Sequence, residues 1–214
     1  NNRRNNDMTA SGGFYPYNPA LGQEMQTDVD NYEVDRSFLA HIELTALQAV
    51  AADTDGVHAA FASAASEQAI TTAITSPVYP RNITAITAGT ATDVEAVSVI
   101  ITGTDMADEV ITETLPVFTL NTQSTVVGDK AFKTVTSILV PAFAGVVATI
   151  AIGWGDKLGI PFTKAVHKSV GTWLNSVLEA TPATFAASTT VLSSNTMDLD
   201  TALNGTVVDS YLVV

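Results

Sequence analysis

From Ala69 to Phe162 the chain is rich in Thr, Val and Ile, and polar and apolar positions largely alternate. A period of two sends one set of side chains into a core and the other into water, which is the pattern of strands. β-Branched residues suit that pleated surface. Val97–Thr102, a turn over Gly103–Asp108, and Glu109–Leu115 predict a hairpin. A turn is expected at Gly128-Asp129-Lys130, then a strand over Ala131–Val140 closed by Pro141, then another over Val146–Ile152. Gly153–Phe162 is the densest local signature: its glycines permit close backbone approach, and Trp154 requires a surface to pack on. Further on, Ser169–Leu174 reads as a strand or a crossover, Ser188–Leu192 and Thr206–Val214 read as strands, and Asn204-Gly205 is a tight-turn signal. The apolar end Tyr211-Leu212-Val213-Val214 is expected to be paired within a sheet, because an exposed apolar edge invites aggregation.

The pattern differs before residue 69. Residues 1–36 make an extended N-terminal arm, because the glycines and prolines of Gly12-Gly13-Phe14-Tyr15-Pro16-Tyr17-Asn18-Pro19 break both helix and central strand. Phe14, Tyr15 and Tyr17 are more aromatic surface than a disordered tail needs. They suit an arm docked on a neighbouring subunit or folded back on its own domain. Residues 37–68 are the one helical candidate, a connector capped by Ser37, with Phe38, Ile42, Leu44, Leu47 and Val50 near helical spacing and Ala49–Ala52 favouring a helix. Asp53-Thr54-Asp55-Gly56 should end it, and Val57–Phe61 either continues as a short helix or becomes a strand. Residues 69–214 are then a β domain, in which 163–214 either completes the same sandwich or forms a small subdomain. The chain begins without Met, and Met8 follows Arg3-Arg4-Asn5, residues that purine-rich, ribosome-binding-site-like codons can encode. Translation from Met8 and a processed or tagged N-terminus both fit.

Composition narrows the function. With 9 Lys and Arg against 22 Asp and Glu, the net charge of −13 argues against nucleic-acid and anionic-membrane partners, which need clustered cations. There is no cysteine, so disulfides and thiolate metal sites are excluded. No apolar run approaches a membrane span, and the polar Asn1–Asp7 gives no signal-peptide pattern. Asn82-Ile83-Thr84 and Asn204-Gly205-Thr206 match the glycosylation pattern and are read as chance.

Candidate chemistry is sparse. Asp28, Asp30, Glu33 and Asp35 offer oxygen ligands at alternating spacing, but the central Gly and terminal Glu of a complete calcium loop are missing, and a solvated acidic face is the expectation. His41, His58 and His167 have no metal-ligand spacing and are expected to be surface or satisfied core residues, so no metal or cofactor is expected. Glu109 and Glu113 share a strand face, as a glycosidase pair would, yet that face is expected to be the wet one. Gly153-Trp154-Gly155 is neither a phosphate loop nor a dinucleotide fingerprint. No nucleophile motif is present, and the chain is expected not to be an enzyme.

The run Ile101-Thr102-Gly103-Thr104-Asp105, then Glu109–Leu115, then Gly128–Ile138, then Gly153–Pro161 resembles a module of virion structural proteins of tailed bacteriophages, over about Ile70 to Phe162. The resemblance implies a mainly β protein, a sandwich with jelly-roll or Greek-key connections. It implies a capsid decoration or cement protein on the virion surface, made in the bacterial host cytoplasm. Its partners would be the major capsid protein and copies of itself, as a dimer or trimer. Phe14, Tyr15, Tyr17 and Trp154 are the candidate partner-binding residues. A tail, neck or head-fibre component is one alternative. A carbohydrate-binding module is another, for which Trp154 with Asp156, or Trp173 with Asn175, would serve.

Overall fold

The computed structural model describes residues 39–213 and, before them, one short antiparallel pairing of Met25–Gln26 (β1) with Glu33–Val34 (β2). The candidates Phe14, Tyr15 and Tyr17 lie outside the described residues, as does most of the expected arm. The fold is mainly β, with antiparallel sheets and one sheet curled into a half-barrel. One four-stranded sheet has the order β5 (Gln68–Ile70), β10 (Thr134–Val140), β7 (Ile100–Thr104), β8 (Val110–Thr114). A six-stranded sheet runs β14 (Thr184–Ala186), β15 (Thr196–Asp198), β11 (Ala148–Gly159), β6 (Arg81–Gly89), β9 (Thr125–Phe132), with β4 (Asp53–Ala62) also paired to β11. A third sheet has the order β13 (Val177–Leu178), β12 (Lys168–Leu174), β16 (Val208–Val213), β3 (Leu39–Leu44).

The first two sheets face each other across the larger core. Ile101, Val135 and Ile138 from one side meet Ile83, Val126, Phe132, Ile150 and Ile152 from the other, a sandwich layering. A second core forms where the third sheet contributes Ile42, Leu44, Leu174, Val208 and Leu212, packed with Leu158, Ile160 and Met197. Strand β11 belongs to both, with Ile150 and Ile152 in the larger core and Leu158 in the smaller. The alternation read from the sequence is plain in β16, where Val208, Ser210 and Leu212 are buried and Asp209, Tyr211 and Val213 are half-buried on the other side.

The hairpin is in place: β7 and β8 pair from Ile100↔Thr114 to Thr104↔Val110. Its turn is held by Asp105, whose carboxylate accepts the backbone N–H groups of Ala107 and Glu109, with Asp108 at φ +64°. The strand expected over Ala131–Val140 ends at Pro141 as expected but is broken at Lys133, where β9 leaves one sheet and β10 enters the other.

Three expectations are corrected. The connector at 37–68 holds no helix; among the described residues there is no α-helix, only two short 3-10 turns. Phe38 and Ser37 lie outside the described residues, but Ile42 and Leu44 are buried on alternate positions of β3, and Leu47 is exposed rather than part of a stripe. A single turn survives at Thr45–Ala49, where the Gln48 carboxamide accepts the Thr45 N–H and hydroxyl. The carbonyls of Val50 and Ala51 are then taken by the guanidinium of buried Arg81, and that of Ala51 also by the Trp154 indole N–H. Helix propensity yields because those carbonyls are the acceptors for a buried charge. Asp53–Gly56, expected to end a helix, instead begins β4, so Val57–Phe61 is strand.

The second correction concerns Gly128-Asp129-Lys130, which is not a turn but a bulge inside β9. Asn82↔Ala131 is followed by Thr84↔Val127, so extra residues of β9 stand opposite β6. The other neighbour of β6 bulges at the same level: Trp154↔Ile83 is followed by Leu158↔Arg81 in β11. Asn82, 1% exposed, lies between the two. Its amide donates to the Gly128 carbonyl (3.1 Å) and its oxygen accepts the Lys157 N–H (3.0 Å). A Cβ on Gly155 would sit 2.6 Å from the Asn82 carboxamide, so the glycine makes the room. The third correction is Ser188–Leu192. It is a loop, because the Asn195 carboxamide oxygen accepts the Ser188 N–H and the Ser188 hydroxyl accepts those of Thr190 and Val191, which diverts the backbone from a ladder.

Asn82→Ala leaves a buried carbonyl and a buried N–H without a partner and should destabilise the protein by about 3 kcal/mol. Lys157→Ala removes the bridge to Asp129 (2.6 Å), whose carboxylate is exposed, and a favourable charge near Asp198, and should cost less than about 1 kcal/mol. Urea midpoints at constant slope measure both, and equal effects would contradict the role given to Asn82.

Candidate functional site

The outward face of the third sheet gathers His41, Glu43, Trp173, Asp209 and Tyr211. Its geometry follows from strand register. Tyr211 stands opposite His41 and also opposite Gly171, while Asp209 stands opposite Glu43 and opposite Trp173. The imidazole of His41 and the phenol of Tyr211 stack at 4.4 Å with 2° between planes. Trp173 meets Tyr211 edge-on at 5.7 Å. The Trp173 ring lies over Gly171, where a Cβ would come within 2.5 Å of it. The β12–β13 turn is Asn175-Ser176, both at positive φ, which matches the right-handed twist of a two-residue hairpin.

Trp173, Ser176, Asp209 and Tyr211 line an open cavity of about 330 Å³. Beside it, His41 Nε2 lies 3.1 Å from Asp209 Oδ1, and Glu43 adds a second carboxylate. The arrangement offers rings for stacking, a hydroxyl and carboxylates for hydrogen bonds, and nitrogen and oxygen ligands for a cation. Of this set the sequence reading singled out only Trp173, Asn175 and His41. His41 and Asp209 are 168 residues apart, so no local spacing joins them.

The other candidates lie elsewhere. Trp154 is half-buried on β11, lies over Gly56 of β4 and packs against the larger core, so the surface it needs is supplied by its own chain. Of the remaining histidines, His58 is half-buried beside Phe61, and His167 is buried with Nε2 2.7 Å from the Asn195 carboxamide oxygen. The acidic run at Asp28–Asp35 has only backbone described, at Glu33.

Glu109 and Glu113 do not form a pair on a wet face. Glu109 is exposed beyond the start of β8. Along β8 it is Ile111 and Glu113 that turn inward, while Val110 is exposed. Glu113 is drawn in because its Oε1 accepts the backbone N–H groups of Asp129 and Lys130 in the β9 bulge. Burial raises the Glu113 pKa above its ordinary 4.5, and those two N–H groups only partly oppose the rise. A raised carboxyl pKa favours the folded state below the unfolded value and loses that contribution as pH rises through the folded value. Glu113→Gln keeps the accepting oxygen and carries no charge. Its stability relative to the native protein should therefore be higher at pH 7 than at pH 4, measured by urea unfolding at both; a difference that does not change with pH would sink this account. Comparison with protein-family models, with curated proteins and with solved structures gives no match to this chain.

Proposed function

We propose that this chain is a non-enzymatic structural protein of a tailed-bacteriophage particle, a capsid decoration or cement protein that binds the assembled shell. The observation that carries the reading is where the phage-like block falls. Gly103, Leu115, Gly128, Phe132, Ile138 and Gly153 all belong to the strands and ends of strands that enclose the larger core. The resemblance thus falls mainly on strands that build the larger core, and its last stretch, with Leu158 and Ile160, continues into the smaller one. A shell gains stability from any protein that bridges its subunits and binds only their assembled state. A body of paired strands with an acidic exterior suits that role, and β8 is an edge strand with Val110 exposed, its Thr112 carbonyl being taken by Lys130. The partners are the major capsid protein and further copies of the chain, as a dimer or trimer on the capsid surface.

A second reading is an adhesion module that binds carbohydrate. It is favoured by the cavity between Trp173 and Tyr211, which joins aromatic surface to the carboxylate of Asp209 and the hydroxyl of Ser176. A tail, neck or fibre component has no separate structural support.

Quantitative mass spectrometry of purified particles tests the first reading. A copy number comparable with that of the shell subunit is expected. A low number in multiples of the tail symmetry would move the chain to neck, tail or fibre, and absence from the particle would overturn the virion reading. For the second reading, glycan-array binding by the whole chain should be lost in Trp173→Ala with the circular dichroism unchanged; no binding by the native chain would reject it.

A further inference from the structure

We propose that His41, Glu43 and Asp209 form a binding site for one divalent transition-metal ion of the zinc class, a site independent of either functional reading. One ligand atom from each residue lies within 4.8 Å of the other two. Zinc binds nitrogen and oxygen ligands at about 2.0–2.2 Å, which sets neighbouring ligands about 3.4 Å apart in a tetrahedron. His41 Nε2 and Asp209 Oδ1, at 3.1 Å, are already near that separation. Glu43 is exposed and brings a second carboxylate to the same place.

Two observations outside this geometry point the same way. The first is electrostatic. Glu43 and Asp209 stand directly opposite each other in the ladder, on one face, in a chain of net charge −13. Like charges in that relation destabilise a sheet. Among the described ion pairs, Lys133 is engaged by Asp108 and Lys157 by Asp129, and none brings a lysine or arginine to Glu43 or Asp209. A divalent ion would remove the repulsion.

The second is preorganisation. The His41 ring is held parallel to Tyr211, which fixes the direction in which Nε2 faces Asp209. The ligands sit on two paired strands, β3 and β16, whose register sets their spacing. Asp209 also borders the open cavity with Trp173 and Tyr211. Three protein ligands beside an open space leave a coordination position for water or for an outside ligand. The imidazole selects the metal class: calcium and magnesium prefer oxygen alone, whereas zinc, nickel and cobalt accept imidazole with carboxylate.

The test is titration of the whole chain with zinc chloride, followed by calorimetry and by NMR of the imidazole signals, with calcium and magnesium chloride as controls. One zinc per chain is expected, with the His41 signals shifted, those of His58 and His167 unmoved, and no equivalent response to calcium or magnesium. His41→Gln and Asp209→Asn should each weaken zinc binding about tenfold or more. Both positions are on the solvent side of the sheet, so the variants should fold, and the wild-type NMR decides the matter even if one does not. Absence of zinc binding at millimolar concentration, a shift at another histidine in place of His41, or undiminished affinity in a folded His41→Gln would overturn the proposal.

Discussion

A single buried carboxamide governs the central sheet. Strand β6 lies between β9 and β11, and both neighbours bulge at the level of Asn82. A bulge leaves ladder groups without partners, and inside a protein such groups are expensive. Asn82 answers one on each side, donating to β9 and accepting from β11. The glycines of the two bulges follow from the same need. Gly155 leaves space for the Asn82 carboxamide, and Gly128 leaves space for the carboxylate of Glu113. Past these bulges both strands still pair briefly with β6 and then lead elsewhere. The chain of β9 passes at Lys133 into β10 and the opposite sheet, while β11 passes from the larger core to the smaller, where Leu158 pairs with both Arg81 and Met197. The two cores are therefore joined through the place where Asn82 sits.

Arg81, next to Asn82 on β6, extends this arrangement to the connector between β3 and β4. It is among the largest fully buried side chains. Burial lowers the pKa of its guanidinium, and the negative charge of Asp156 opposes that effect. Its donors reach the carbonyls of Val50 and Ala51, so a loop rather than a second charged side chain supplies its hydrogen bonds. Asp156 also raises the pKa of Asp198, after the larger effect of burial, with Lys157 opposing. In a chain with few cations, two of them are placed around one buried junction. The acidity of the exterior is in that sense separate from the electrostatics that hold the fold.

Local alternation was enough to read the β7–β8 hairpin, the end of β10 at Pro141 and the paired C-terminal strand. These elements follow from neighbouring residues alone. What failed depended on distant ones. Ile42, Leu44 and Val50 are near helical spacing, and distant groups decide the matter: β16 pairs with Ile42 and Leu44 in β3, and Arg81 and Trp154 take the carbonyls of Val50 and Ala51. Gly128-Asp129-Lys130 has turn chemistry, yet Glu113 and Asn82 satisfy its backbone within a strand. Glu113 points inward against its polarity for the same reason. Of the candidate site, Trp173 was legible as a rare aromatic, but its neighbours Asp209 and Tyr211 come from β16 and His41 and Glu43 from β3. A cross-strand cluster has no period for a sequence reading to find.

The pairing of β3 with β16 has a consequence for the order of events in the cell. Leu39 meets Val213 and Leu44 meets Val208, so the first strand of the third sheet waits for its last. A ribosome adding 5–20 residues per second needs on the order of ten seconds to cover that interval. During it, Ile42 and Leu44 have no sheet to bury them, while the strands that supply the larger sandwich core, from β4 to β11, are all made before β16. The sandwich is thus in a position to fold before the third sheet is complete, and the face that bears His41, Glu43 and Asp209 comes into existence only once β16 has been made.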